Sequence, residues 1–138
     1  MTAGYSGTPL ARKLSLKDGM RVWFVAMPAS VLAEIDMPTL VRLPAPEPGI
    51  DAAHIFVIDY ADMVAKLALL RPLIDSAGFV WVSWPKRASK VATDITEDRS
   101  RDAVLPATDW VDVKVCAVDA IWSGLKLVIR KSAREVRR

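Results

Sequence analysis

The chain reads as a three-layer α/β domain, and three observations carry that reading. Apolar runs at Met20–Ala26, His54–Ile58 and Phe79–Ser83 have strand length and do not alternate, which marks strands covered on both faces. Segments with helical spacing of apolar residues follow the first and second runs. Two alternating runs, Val111–Ala117 and Leu125–Ile129, close the chain and predict an antiparallel pair at one side of the sheet. The order βα, short β-loop, βα, βα, ββ is that of a Rossmann-like, mostly parallel sheet with a C-terminal antiparallel strand pair.

Each element has a local cause. Thr8-Pro9 is a helix start, with Thr8 as cap and Pro9 at the first helical position, and Leu10 and Leu14 share one side of the short helix. Asp18-Gly19 turns the chain into the first strand. Ser30 is placed to cap a helix that turns Val31, Leu32 and Ile35 inward. Leu40–Leu43 is a short strand, and Pro44, Pro46 and Pro48 alternate through an extended linker. After His54–Ile58, Met63, Val64, Leu67, Leu70 and Ile74 fall on one helical face. Pro72 kinks or restarts its last turn, and Gly78 stands at the expected stop. Thr93, Asp94 and Thr96 compete to cap a helix running to about Ala107, where Asp94 with Glu97 fits a capping box. Trp122 and Gly124 fall in the loop between the last two strands.

Composition narrows the class. With 138 residues the chain is one domain by length, able to bury about two-thirds of its unfolded surface. A 52% apolar and 25% charged composition excludes intrinsic disorder. The net charge of +3 is unevenly placed: Arg130–Arg138 carries +4, leaving about −1 on the rest. The domain therefore spans 1–131, with a basic tail at 132–138. Nucleic-acid binders carry charge on the face that meets phosphate, so nucleic acid ranks low as a partner. One cysteine and one histidine exclude an internal disulfide and a structural zinc site, which fits a cytoplasmic protein. Arg12, Lys13 and Lys17 precede an apolar run as in a signal peptide. That run is short and broken by Pro28, and no stretch is long enough to span a bilayer, so neither export nor membrane is expected.

The turn after the first strand matters most for function. A nucleotide-binding α/β domain places glycines there so that a cofactor can approach the backbone. Here it reads Met27-Pro28-Ala29-Ser30. Met27 puts a side chain in that space and Pro28 removes an amide donor. No cofactor is expected on these grounds.

From Gly4 to about Lys131 the chain resembles a family of short bacterial proteins known only as a domain of unknown function. The matching segments are Gly4-Tyr-Ser-Gly-Thr-Pro-Leu-Ala-Arg-Lys-Leu14, Trp81-Val-Ser-Trp-Pro-Lys86, Ala92-Thr-Asp-Ile-Thr-Glu-Asp98, Val111-Asp-Val-Lys-Val-Cys-Ala-Val-Asp119 and Trp122-Ser-Gly-Leu-Lys-Leu-Val128. That family implies no catalytic residue. More distantly, Leu16-Lys-Asp-Gly-Met-Arg-Val22 and Leu70-Arg-Pro-Leu-Ile-Asp-Ser-Ala-Gly78 are similar to segments of class I S-adenosylmethionine-dependent methyltransferases, before their first and fifth strands. The chain departs from them in lacking acidic-x-Gly-x-Gly after the first strand and a ribose-holding acid after the second. Each such hydrogen bond is worth about 1.5–3 kcal/mol, so losing two weakens binding roughly a hundredfold or more.

In an open parallel sheet, ligands bind beyond the carboxyl ends of the strands. The residues the sequence places there are Asp59, Ser83, Trp84, Lys86, Asp119 and Trp122, beside Met27 and Pro28. An acid, a lysine, a hydroxyl and two indoles suit a small polar ligand with an aromatic or anionic part. The plainer reading is that Asp59 caps the next helix, Trp84-Pro85 packs over the sheet edge and Lys86 is solvated. Lys86, Arg87 and Lys90 with Ser83 and Ser89 offer an anion site near the helix starting at Thr96, against a flexible basic loop. His54, with no Ser or Cys near it in sequence, and mid-strand Cys116 read as structural. Trp23 and Trp81 read as core, and Tyr5 as a residue that folds back or crosses to a partner.

The functional expectation is a non-enzymatic cytoplasmic module binding a small ligand or protein at the strand carboxyl edge. A divergent methyltransferase using Asp59, Ser83 and Lys86 is the alternative, and nucleic-acid association through the basic tail the third. The exposed edge at Leu40–Leu43 is compatible with a homodimer.

Overall fold

The computed structural model describes residues 9–35, 39–104 and 109–131. Helices α1 (Leu10–Lys13), α2 (Ala29–Glu34), α3 (Tyr60–Leu70) and α4 (Glu97–Val104) flank strands β1 (Arg21–Val25), β2 (Val41–Arg42), β3 (Ile50–Phe56), β4 (Ile74–Pro85), β5 (Trp110–Ala117) and β6 (Trp122–Ile129). The strands form one sheet in the order β2-β1-β3-β4-β6-β5. β2, β1, β3 and β4 pair in parallel, while β6 inserts between β4 and β5 and is antiparallel to both. β6 is thus the reversed strand among those described. The expected α/β architecture with its closing antiparallel pair is present.

Strand alternation sends side chains to two cores, one on each face of the sheet. Val22, Ala52, Phe56, Phe79 and Trp81 meet Leu10, Leu14, Val31 and Ile35 on the α1/α2 face. Ala53, Ile55, Val57, Val80, Val82, Leu125, Leu127 and Ile129 meet Met63, Leu67 and Leu70 on the α3 face. Apolar strands covered on both sides give the non-alternating runs seen in the sequence.

Several expectations are corrected. Pro9 and Pro28, not Thr8 and Ser30, occupy the cap positions of α1 and α2, without side-chain capping bonds; Thr8 and Tyr5 lie outside the described residues. A Pro immediately before the first helical residue leaves extended backbone where a capping side chain would reach back. α3 ends at Leu70 because Pro72 cannot continue it, and Leu73 N–H closes the end on Leu70 O at 2.9 Å. Ile74 therefore starts β4 instead of extending the helical face, and Val64 is exposed. Gly78 is a strand residue, not a helix stop. It sits where the β3–β4 register jumps from Ile50↔Ile74 to Ala52↔Phe79, and a Cβ there would lie 2.6 Å from Asp51 O. Thr96, not Asp94, caps α4, accepting the Arg99 N–H at 3.1 Å. α4 is described only to Val104, so its expected extension to Ala107 lies outside the described residues.

The final pair also differs in detail. Trp122 and Gly124 belong to β6, and the turn is Val118–Ile121. The regular alternation read along β5 is broken by a register shift between Asp112 and Lys114, leaving Val113 and Val115 exposed on this edge strand.

Candidate functional site

The carboxyl ends of β1, β3 and β4 lie at one edge of the sheet, and the topology reverses between β1 and β3. β1 leads to its neighbour β2 through α2, and β3 leads the other way through α3 to β4. At the end of β1, Ala26 has φ +56°, so the left-handed turn that glycine commonly supplies is made here by alanine. Met27 is half-buried and packs onto the α1/α2 core. Pro28 then accepts the N–H groups of Val31 and Leu32, both at 3.0 Å.

These features decide how well the edge fits S-adenosylmethionine. The bend survives, but Met27, whose side chain packs onto the α1/α2 core, stands where a glycine loop would. The residues after β2 are Leu43, Pro44 and Ala45. The next acid, Glu47, binds Arg21 at 2.7 Å, at the opposite end of β1. The ribose-holding acid and the open backbone cradle are both missing among these residues. The residues at this edge do not make the usual adenosyl cradle.

The structure distributes the six expected site residues over different surroundings. Ser83 is completely buried on the α1/α2 face, its Oγ 2.6 Å from His54 Nε2. This pair is not legible in the chain's local order, because the partners come from adjacent strands; the β3–β4 register sets His54 opposite Trp81 and Phe56 opposite Ser83. Burial pushes the His54 pKa down to about 3, so the imidazole is neutral. It stacks on Phe56 with ring centroids 4.3 Å apart. A Ser–His contact sealed in this way satisfies two buried polar groups and does not face a substrate.

Trp122 stays half-buried on the same face, edge-on to Phe56 at 5.0 Å. Asp119 Oδ1 accepts the N–H groups of Ile121 and Trp122, each at 2.8 Å, and closes the β5–β6 turn. Asp59 is exposed at the start of α3 but makes no side-chain cap bond. Asp94 reaches across instead, accepting the Tyr60 N–H at 2.7 Å, while Thr93 Oγ1 donates to Ile58 O at 2.6 Å. The segment after β4 is thereby fastened over the end of β3.

Trp84 and Lys86 of the six come together at one cavity. They line a cleft of about 470 Å³ with Arg87, Lys90, Thr96 and Ser123. Trp84 points to the α3/α4 side and is buried, while Lys86 is half-exposed and its N–H is held by Ile121 O at 2.7 Å. The basic segment is a built turn, not a loose loop. Arg87–Ser89 forms a single 3₁₀ turn, Ser89 Oγ donates to Lys86 O at 2.6 Å, and Lys90 takes φ +62°. Sequence reasoning named Arg87 and Lys90 but had no means of finding Ser123, which β6 carries beside Trp84 by register.

Cys116 is half-buried, its thiol pushed up by burial and partly drawn down by Lys13, Lys114 and Lys86. Among the described residues, no group of three or more His, Cys, Asp or Glu side chains could hold a metal ion, and no helix is long and apolar enough to cross a membrane.

No family model and no curated protein matches this chain. Solved structures do. A proposed type 11 methyltransferase from Sulfolobus solfataricus is 12% identical, with TM-score 0.56 over 93% of this chain and 94% of that one. Fibrillarin from Aeropyrum pernix, solved with natively bound S-adenosyl-L-methionine, is 12% identical with TM-score 0.53, covering 86% and 73%. The Methanococcus jannaschii fibrillarin pre-rRNA processing protein is 9% identical with TM-score 0.53, covering 92% and 71%. At such identities the likeness concerns backbone architecture: this chain has the Rossmann-like fold of S-adenosylmethionine-dependent methyltransferases.

Proposed function

We propose that the chain is a binding module on a methyltransferase-type scaffold, holding a small anionic ligand in the cleft at the carboxyl end of β4. The carrying observation is the cleft itself, which gathers Lys86, Arg87 and Lys90 around Trp84. Their charge favours a carboxylate or phosphoryl group, and the indole offers apolar surface to the rest of the ligand. Glu97, on the same cleft, selects against ligands that are anionic at both ends. The test is a thermal-shift and titration-calorimetry panel of nucleoside monophosphates, aromatic carboxylates and pyrophosphate. A ligand at about 100 times its dissociation constant stabilises by roughly 2.7 kcal/mol. Lys86→Gln with Lys90→Gln should abolish that shift and leave the free protein's unfolding temperature nearly unchanged. A shift that survives the double exchange places the ligand elsewhere.

A second reading, a divergent S-adenosylmethionine-dependent methyltransferase, is favoured by the solved structures more than the first is. The retained left-handed turn at Ala26 also supports it. The side chains of Met27 and Pro28 weigh against it. Stabilisation by S-adenosylmethionine or its demethylated product at millimolar concentration would support this reading, and its absence would end it. Membership of the short bacterial family, a cytoplasmic location and dimerisation through the β2 edge belong to the same proposal.

A further inference from the structure

The outer side of the sheet, away from the cleft, gathers positive charge in a way the sequence conceals. Lys13 and Lys17 flank the end of α1, Lys114 lies mid-way along β5, and Lys126 is its register partner on β6. Folding knits them together. Lys114 Nζ donates to Lys13 O at 3.4 Å, Lys13 Nζ to Ala117 O at 3.2 Å, and Lys126 Nζ to Ser15 Oγ at 3.0 Å. Lys126 also lies over the Phe79 ring, 4.6 Å from its centroid. Ser15, at φ +62°, joins Arg12, Lys17 and Asp18 around an adjoining hollow of about 500 Å³.

Lys17, Lys114 and Lys126 form no ion pair among the described residues. Among the described residues, the ion pairs formed by Arg21, Lys66, Arg71 and Arg99 all lie elsewhere. The contacts of Lys114 and Lys126 named above go to neutral oxygens, which fix the ammonium groups without cancelling them. Asp18 is the acid lining the hollow among the described residues, and its Oδ1 already accepts the Thr39 N–H at 2.6 Å. Burial lowers the Lys126 pKa, and the charges of Lys114 and Lys17 lower it further. Lysines close enough to repel one another gain from a shared polyanion, which replaces repulsion by attraction and releases its own counterions.

We propose that the face made by α1 and the β5–β6 pair binds a phosphate chain, with Lys17, Lys114 and Lys126 as the contact residues. The chemistry is that of successive phosphates, supplied either by a single-stranded nucleic acid or by inorganic polyphosphate. Clamping α1 to the sheet is the competing role for these lysines, and Lys17 and Lys114 are exposed enough to be changed without disturbing the core. The charge of the chain as a whole hid this surface, because the basic tail masks a near-neutral body whose positive side chains converge only on folding.

The experiment is fluorescence anisotropy of the full chain with a labelled single-stranded oligouridylate, with and without polyphosphate as competitor, across a salt series. Each phosphate contact on a single strand contributes about 0.7 to the slope of log affinity against log salt. A Lys17→Gln/Lys114→Gln variant should therefore lose about 1.4 from the slope and roughly sixtyfold in affinity at about 50 mM salt. Lys114→Arg should bind as the parent does, and deletion of residues 132–138 should leave the effect of the double exchange intact. Displacement by polyphosphate would name that polymer as a ligand; displacement failure with strong oligouridylate binding would name nucleic acid. Absence of binding to either polymer, or an unchanged slope in a double variant with native circular dichroism, would overturn the proposal. So would binding lost wholly with the tail.

Discussion

Lowering the pH from 7 to 5 should destabilise this protein through one residue, His54. The imidazole is 2% exposed, and burial alone pushes its pKa to about 3, against an ordinary 6.5. Below about pH 6.5 the unfolded chain takes up a proton that the folded one refuses, so stability falls as pH falls. The full contribution is present above pH 6.5 and is lost between there and about pH 3. Between pH 7 and pH 5 the loss integrates to about 2 kcal/mol, with a limiting slope of about 1.4 kcal/mol per pH unit. Urea unfolding at pH 7, 6 and 5 measures it as a shift in midpoint at constant slope. His54→Gln supplies the control, since an amide keeps a hydrogen-bonding group toward Ser83 and has no proton to gain. The difference between parent and variant across that interval should be about 2 kcal/mol. Equal pH dependence in the two proteins, or an imidazole titrating near 6.5 by NMR, would refute the account of a sealed, neutral histidine.

Other perturbations test the packing and the edge. Gly124→Ala should cost about 1–3 kcal/mol. Its Cβ would meet Trp81 and Val118 at 3.1 Å and Ser83 at 3.3 Å, all buried, and urea unfolding at pH 7 reads the effect. Gly78→Ala should cost more, because the obstruction is the backbone oxygen of Asp51 at 2.6 Å and neither strand can yield alone. Asp119→Ala leaves two turn amides without their acceptor, and thermal unfolding should show a loss of about 1–2 kcal/mol. Met27→Gly returns a glycine to the turn after β1 while the ribose-holding acid stays absent, so calorimetry with adenosyl compounds should show at most part of the roughly hundredfold loss recovered.

Legible in advance were features written in local order. Apolar runs marked β1, β3 and β4, the Asp18-Gly19 turn appeared as expected with Gly19 at φ +84°, and Leu125, Leu127 and Ile129 turned inward together. Alternation and turn chemistry depend on neighbours a few positions apart, so one strand's worth of sequence suffices. The errors came where a distant segment supplied the partner. Asp94 looked like a cap for its own helix, yet it bonds the amide of Tyr60, 34 positions away. Strand register likewise sets the Ser83 hydroxyl against His54, a contact that no local stretch of sequence announces.

The candidate site shows the same division. The chain alone determined that the turn after β1 lacks glycine and that Lys86, Arg87 and Lys90 cluster after β4, because both are matters of which residues stand in a row. Only the tertiary structure decided that Ala26 keeps the bend, that Trp84 rather than Trp122 shares a cleft with those cations, and that Lys126 meets Lys114 beside α1. Strand register and the face each side chain takes are set by pairing between segments far apart in sequence, and a one-residue shift of register reverses every face. Such pairings are settled by burial summed over the whole sheet, so no local stretch of the chain carries them.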